Sequence, residues 1–138
     1  MFEVVPIPDQ LTCTPTTIGE KALAALFLKH SSALGFTELE AVDNNLKDIE
    51  LHPNRLGPGD FLGRMNDTTV RIEIEVNYST FFVHKKRVRD KIGVIAAVWD
   101  RTDPPKLRSP DRILELEKKR VILLVPQWVD RAKGRLGE

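Results

Sequence analysis

The sequence is poor in the residues that build cross-linked or thiolate-metal proteins. Cys13 is the only cysteine among 138 residues, which excludes an internal disulfide and a thiolate zinc site. The three histidines, His30, His52 and His84, lack the spacing of a zinc motif. No stretch approaches the roughly 18 consecutive apolar residues of a membrane-spanning helix, and the first residues lack the basic and apolar regions of a signal peptide. We therefore expect a cytoplasmic protein with no membrane partner.

The chain also lacks an excess of one charge. Twenty-one Lys and Arg residues nearly balance 20 Asp and Glu residues, for a formal net charge of +1. This balance argues against a strongly basic nucleic-acid coat protein, so any nucleic-acid contact must be local. With 41% hydrophobic and 30% charged residues, the chain can bury a core, and its length suits a single domain over residues 1–138.

The most regular local pattern covers residues 70–76, where apolar and charged residues alternate. A period of two residues indicates a half-buried strand. The apolar face carries Val70, Ile72, Ile74 and Val76, and the charged face carries Arg71, Glu73 and Glu75.

A shorter apolar segment over residues 60–64 precedes this strand. If Asn66 and Asp67 form a two-residue hairpin loop, counting outward places Asp60 opposite Glu73, with Glu75 further along the same face. Like charges across a ladder cost up to about 1 kcal/mol, and a hard divalent cation among the three carboxylates would relieve that repulsion. The alternative is that these acids are solvated residues on the wet face of a strand.

Other patterns predict the elements around this hairpin. Residues 1–16 contain three prolines and indicate an arm or an edge strand. A capping-box pattern over residues 17–20 predicts a helix to about residue 33, ended by Gly35. Its expected core-facing residues are Ile18, Ala22, Leu23, Leu26, Phe27 and Leu34. The region 36–51 is mixed, with a strand predicted over 46–51, and Ser79 is a candidate N-cap for a helix over 80–90.

The second half of the chain predicts buried parallel strands. The apolar runs 92–99 and 121–125 do not alternate, which is typical of strands buried on both faces. Ser109 and Pro110 open a helix to about residue 118, Pro126 is expected to end the second strand, and residues 128–133 are expected to form a short last helix. Joining the strands of residues 70–99 requires a crossover, which favours parallel or neighbouring strands in one sheet. The expected fold class is α/β (α+β), a mixed central sheet flanked by helices.

This element order and these acids together resemble the PD-(D/E)XK nuclease superfamily, which has a restriction-endonuclease-like core. That core is a helix, a three-stranded meander, a crossover helix and a further strand, and its signature is an Asp in the second strand and a Glu-x-Lys or similar pair in the third. Asp60 matches the Asp and Glu73 matches the third-strand acid, whereas Glu75 stands where Lys is usual. The chain thus resembles a Glu-x-Glu variant, over roughly residues 17–99.

The resemblance implies a Mg²⁺-dependent endonuclease that hydrolyses phosphodiester bonds, with DNA as the favoured partner and substrate. It implies that Asp60 and Glu73 hold Mg²⁺ or Mn²⁺, and that Glu75 binds the ion or acts as a base. Many members carry a Glu in the first helix, so Glu20 is either an accessory metal ligand or only a helix-capping residue. Because Glu75 replaces the usual Lys, this variant lacks the positive charge that the family places near the phosphate. The sequence does not decide the oligomeric state, and a homodimer is one possibility.

Residues 84–91 are dense in cations and supply candidate phosphate contacts. Lys85 could also reach the acidic site, and the alternative is a solvated helix face. The candidate nucleic-acid-binding residues are His84, Lys85, Lys86, Arg87 and Arg89. Two other functions stay open for the whole chain: a catalytically inactive nucleic-acid- or protein-binding module of the same fold, and an assembly protein whose acids are plain surface.

Overall fold

The computed structural model describes residues 2–42 and 60–129 as six strands, three α-helices and one 3₁₀ segment. The strands are β1 (Phe2–Leu11), β2 (Phe36–Ala41), β3 (Phe61–Met65), β4 (Thr68–Glu75), β5 (Val94–Val98) and β6 (Arg120–Trp128). The helices are α1 (Glu20–His30), α2 (Lys86–Arg89) and α3 (Pro110–Glu117), and the 3₁₀ segment is Tyr78–Val83. The strand predicted over 46–51 and most of the helix predicted over 128–133 lie outside the described residues.

The six strands form one mixed sheet in the order β1-β6-β5-β4-β3-β2. β2, β3 and β4 are antiparallel neighbours, whereas β4, β5, β6 and β1 run parallel. The predicted sequence of an antiparallel meander followed by parallel strands is confirmed. The first meander strand in the described chain is β2, in a region that the sequence left unassigned. Residues 2–11 form an edge strand, which is one of the two expectations for the N-terminus.

The hairpin register follows the sequence count. Met65 pairs with Thr68 and Phe61 pairs with Ile72. Asn66 and Asp67 have φ angles of 51° and 63°, the left-handed pair of angles that a tight two-residue loop requires. The turn therefore determines which side chains of β4 share a face.

Each sheet face is covered by a separate core. On one face, Ile72 and Ile74 pack with Leu23 and Phe27 of α1. On the other, Ile95 and Ala97 of β5 pack with Phe81 of the 3₁₀ segment, together with α3. β5 is fully buried, as its uninterrupted apolar run predicts. Glu73 and Glu75 belong to the second face, because they are in register with Ile95 and Ala97.

Helix α1 begins later than predicted. Gly19 is its N-cap, and no side chain caps it. The predicted capping box is therefore wrong, and the Thr17 hydroxyl instead hydrogen-bonds to the Thr14 hydroxyl. Ala22 is exposed, contrary to prediction, whereas the other expected core residues around α1 are buried. Gly35, with φ of 92°, takes the left-handed conformation after the helix.

The helix predicted over residues 80–90 is broken into two short pieces. His84 and Lys85 are extended, with ψ angles of 150° and 144°. Asn77, not Ser79, is the N-cap of the 3₁₀ segment, and its side chain accepts a hydrogen bond from the Ser79 N–H at 3.0 Å. The break turns His84 away from a helix surface and towards the sheet.

Strand β6 continues past Pro126, which was wrongly expected to end it. The register with β1 shifts between Pro6 and Gln10, at the level of this proline. A proline is tolerated there because the ladder is already irregular and its missing N–H removes no regular hydrogen bond. Within residues 2–42 and 60–129, no helix is long and apolar enough to cross a membrane.

Candidate metal centre

Asp60 lies where strands β3 and β4 separate. Its backbone N–H donates to the Ile72 carbonyl at 2.8 Å, and its carboxylate accepts from the Ile74 N–H at 2.7 Å. The side chain thus replaces a backbone carbonyl, and the paired ladder stops at Phe61 and Ile72. Asp60 is therefore not the ladder partner of Glu73 that the register count expected. Its carboxyl group nevertheless lies close enough to that of Glu73 to raise the pKa of Glu73.

Glu73 and Glu75 are buried, with 8% and 5% of their surface exposed. They occupy the face of β4 that packs on the second core, rather than a wet face. A buried carboxylate without compensation costs several kcal/mol. The placement therefore contradicts the idea that these acids are plain surface, and it requires partners for both groups.

Glu75 is held by two side chains from the crossover between β4 and β5. The Thr80 hydroxyl donates to one carboxylate oxygen at 2.5 Å, and His84 Nε2 lies 2.9 Å from the other. His84 Nε2 also lies 3.9 Å from Glu73 Oε1. One ligand atom from each of Glu73, Glu75 and His84 falls within 4.8 Å of the other two. Two carboxylate oxygens and an imidazole nitrogen at this spacing fit a divalent cation.

The neighbouring charges perturb the titration of Glu73. Burial and the negative charge of Asp60, followed by the hydrogen bond to Asp60 and the charge of Glu75, raise the pKa of Glu73 to about 8. Without a cation, the raised pKa therefore favours the protonated form of Glu73 at neutral pH. A cation that binds here must displace that proton.

Glu20 lies within electrostatic reach of the same acids. It is the first residue of α1, and partial desolvation followed by the charges of Asp60 and Glu75 raises the pKa of Glu20. Neither Glu20 nor Asp60, the two other predicted metal ligands, is part of the close Glu73–Glu75–His84 group. The four predicted acids thus converge at one end of β4, with Glu20 at the periphery.

The predicted nucleic-acid-binding residues separate into three environments. Lys85, Lys86 and Arg87 are exposed, and Lys86 lies 3.9 Å from Asp90. Arg89 donates through Nε to both carboxylate oxygens of Glu115, at 2.9 and 3.1 Å. His84 contacts the acids, whereas Lys85 has no ion pair within 4.0 Å among the described residues.

Sequence reasoning missed Thr80 and the role of His84 as a partner of Glu75. It placed both residues on one continuous helix, where they would point along a helix surface. No local signal marks the break, because the extended residues are held by contacts from elsewhere, such as the bond from Arg89 to the His84 carbonyl at 2.5 Å. No protein-family model, curated protein or solved structure matches the chain.

Proposed function

We propose that the chain is a metal-dependent nuclease with a restriction-endonuclease-like core, acting on phosphodiester bonds and preferentially on DNA. The observation that carries the proposal is the convergence of Asp60, Glu73 and Glu75 where β3 and β4 separate. The order of α1, the meander β2–β4, the crossover and β5 supports the proposal, because the resemblance implies the same order of elements. The choice of DNA comes from the resemblance alone.

We assign each acidic residue of the site a role that follows from its surroundings. Asp60 and Glu73 would hold Mg²⁺ or Mn²⁺, with Glu20 as an accessory group. A bound divalent cation lowers the pKa of an attacking water and offsets negative charge on the scissile phosphate. Glu75 is fixed by Thr80 and His84, so its carboxylate is oriented to accept a proton from that water.

We propose that His84 takes the role of the lysine that this variant lacks. It brings an ionisable nitrogen to within 3.9 Å of Glu73 and 2.9 Å of Glu75. Its side chain is 40% exposed, so it is open to a substrate phosphate on one side. It can orient a water or a phosphate oxygen there, or join the ligands of the cation.

One observation favours a second candidate, an inactive nucleic-acid- or protein-binding module of the same fold. Both carboxylate oxygens of Glu75 already accept hydrogen bonds from the crossover. Glu75 would then serve only to anchor the 3₁₀ segment, and the acids would form a structural cluster.

The deciding experiment compares wild type with Asp60→Asn and Glu73→Gln on labelled single-stranded DNA, duplex DNA and RNA. Asparagine is preferred to alanine at position 60 because it keeps an oxygen to accept the Ile74 N–H. We expect cleavage with Mg²⁺ or Mn²⁺ that EDTA and both substitutions abolish, while circular dichroism shows a native fold. No cleavage of any of these substrates by wild type, with nucleic-acid binding retained, would favour the binding module.

A further inference from the structure

A groove of about 830 Å³ lies beside α2 and α3 and is not used by the proposed metal centre. Six cationic and three acidic side chains line it, which gives a formal charge of +3. We call this the α2–α3 groove. Its volume exceeds that of a single phosphate group and falls in the range of ligand-sized pockets, roughly 300–1,000 Å³.

Two of the cations have structural roles. Lys119 is buried and donates to the carbonyls of Arg89 and Ile92 at 2.5 and 2.6 Å. Arg89 forms the ion pair with Glu115. Both residues join α2 to the region of α3 and form the wall of the groove rather than a free binding surface.

Of the other four cations, Lys86 lies 3.9 Å from Asp90, and the remaining three are available to a ligand. Lys91 and Lys118 are exposed and have no ion pair within 4.0 Å with any described residue. Arg112 stacks on Phe82, with its guanidinium carbon 4.7 Å from the ring centroid, and no described residue accepts a hydrogen bond from its guanidinium. A planar guanidinium fork and two ammonium groups around one groove are the donors that recognise phosphate oxygens.

The groove and the metal centre lie on the same sheet face and are connected through Arg89. Arg89 donates to the His84 carbonyl at 2.5 Å and reaches Glu115 in the groove through its Nε. Phe82 lies two residues before His84 and lines the groove. Arg89 and the residues from Phe82 to His84 therefore connect the groove to the metal centre.

We propose that the α2–α3 groove binds the phosphate backbone of a nucleic-acid strand through Lys91, Arg112 and Lys118. The inference rests on the proposed nuclease function and names the part of the surface that holds its substrate. Only Lys91 belongs to the cation-rich stretch 84–91 that the sequence singled out, and none of the three is among its named candidates, which are His84, Lys85, Lys86, Arg87 and Arg89.

The test measures binding of a fluorescently labelled 20-nucleotide single strand, and of the same sequence as a duplex, in EDTA so that cleavage does not interfere. The variant Lys91→Ala/Arg112→Ala/Lys118→Ala is compared with a matched control, Lys21→Ala/Arg101→Ala/Lys106→Ala. The control also removes two lysines and one arginine, all exposed and outside the groove. Thermal unfolding checks that both variants are folded, and a Lys91→Arg/Lys118→Arg variant keeps the charges.

We expect the groove variant to bind at least about tenfold more weakly at low salt, and its slope of log affinity against log salt to fall by about 2. The control and the Arg variant should keep both values close to wild type. Equal losses in groove and control variants, or no loss in the groove variant, would overturn the proposal. So would competition by a mononucleotide as strong as that by the oligonucleotide, which would make the groove a nucleotide pocket. Because binding is read in EDTA, absence of cleavage by wild type would refute only the nuclease function.

Discussion

His84 Nε2 lies 2.9 Å from Glu75 Oε1, and this contact joins the break between two short helical pieces to the end of the central strand β4. It places an imidazole against a buried acidic pair. It also couples the backbone of the crossover to the candidate metal centre, because the His84 carbonyl is itself held by Arg89.

Replacing Glu73 by Gln should stabilise the cation-free protein at high pH. The pKa of Glu73 is about 8 in the folded protein and near its ordinary value of 4.5 when unfolded. Its contribution to the free energy of unfolding is therefore complete below about pH 4.5 and is lost as pH rises to about 8. The variant should match wild type at about pH 4.5 and be more stable than wild type at about pH 8.5, by more than about 1 kcal/mol.

Chemical denaturation of both proteins across this pH range, in EDTA, measures the difference. The two proteins differ only at position 73, so a pH-dependent difference in stability comes from Glu73 and its interactions with the neighbouring acids. A stability difference that does not change with pH would show that Glu73 is already ionised.

Binding of a divalent cation should release protons at neutral pH. Glu73 is protonated there and must lose its proton to become a ligand. We expect calorimetric titration with Mg²⁺ or Mn²⁺ at about pH 7 to release close to one proton per ion, read from buffers of different ionisation enthalpy. Binding should tighten as pH rises towards about 8 and then level off. Binding that is independent of pH in this range would place the ion elsewhere.

Removing the imidazole of His84 should change which cation the site prefers. Nitrogen ligands favour Mn²⁺, Co²⁺ and Zn²⁺, whereas Mg²⁺ prefers oxygen. His84→Ala should therefore weaken binding of these three ions more than binding of Mg²⁺, as measured by ion-induced shifts in melting temperature. Lys85→Ala is the matched control, since Lys85 is adjacent, exposed and makes no ion pair with a described residue. Equal weakening for all four ions would limit His84 to positioning Glu75.

Arg89 should matter to stability far more than its neighbour Arg87. Arg89 and Glu115 have side chains 18% and 14% exposed and form a close ion pair. Arg89→Ala leaves the Glu115 carboxylate without its cationic partner and should lower the free energy of unfolding by about 2–3 kcal/mol. Arg87→Ala, on the exposed side of the same helix, should change stability by less than about 0.5 kcal/mol. Urea unfolding measures both, and equal small effects would show that the ion pair is solvated.

Local sequence pattern predicted the parts of this protein that depend on residues close together in the chain. Alternation along residues 70–76 assigned each side chain of β4 to a face, and the Asn66–Asp67 turn set the register with β3. The uninterrupted apolar run of β5 predicted burial on both faces. These predictions held because strand period and turn geometry are local properties, and the acids at 60, 73 and 75 could therefore be grouped from the pattern of residues alone.

Tertiary structure decided the break at His84, the burial of Glu73 and Glu75, and the partners of Arg89. The sequence favours a helix over residues 80–90, but a continuous helix would give up the bonds from Thr80 and His84 to Glu75 and from Arg89 to the His84 carbonyl. Those bonds satisfy buried charge, which outweighs a weak helical preference in so short a segment. Long-range contacts with the buried Glu73–Glu75 pair, and not any local pattern, placed a histidine at the candidate metal centre.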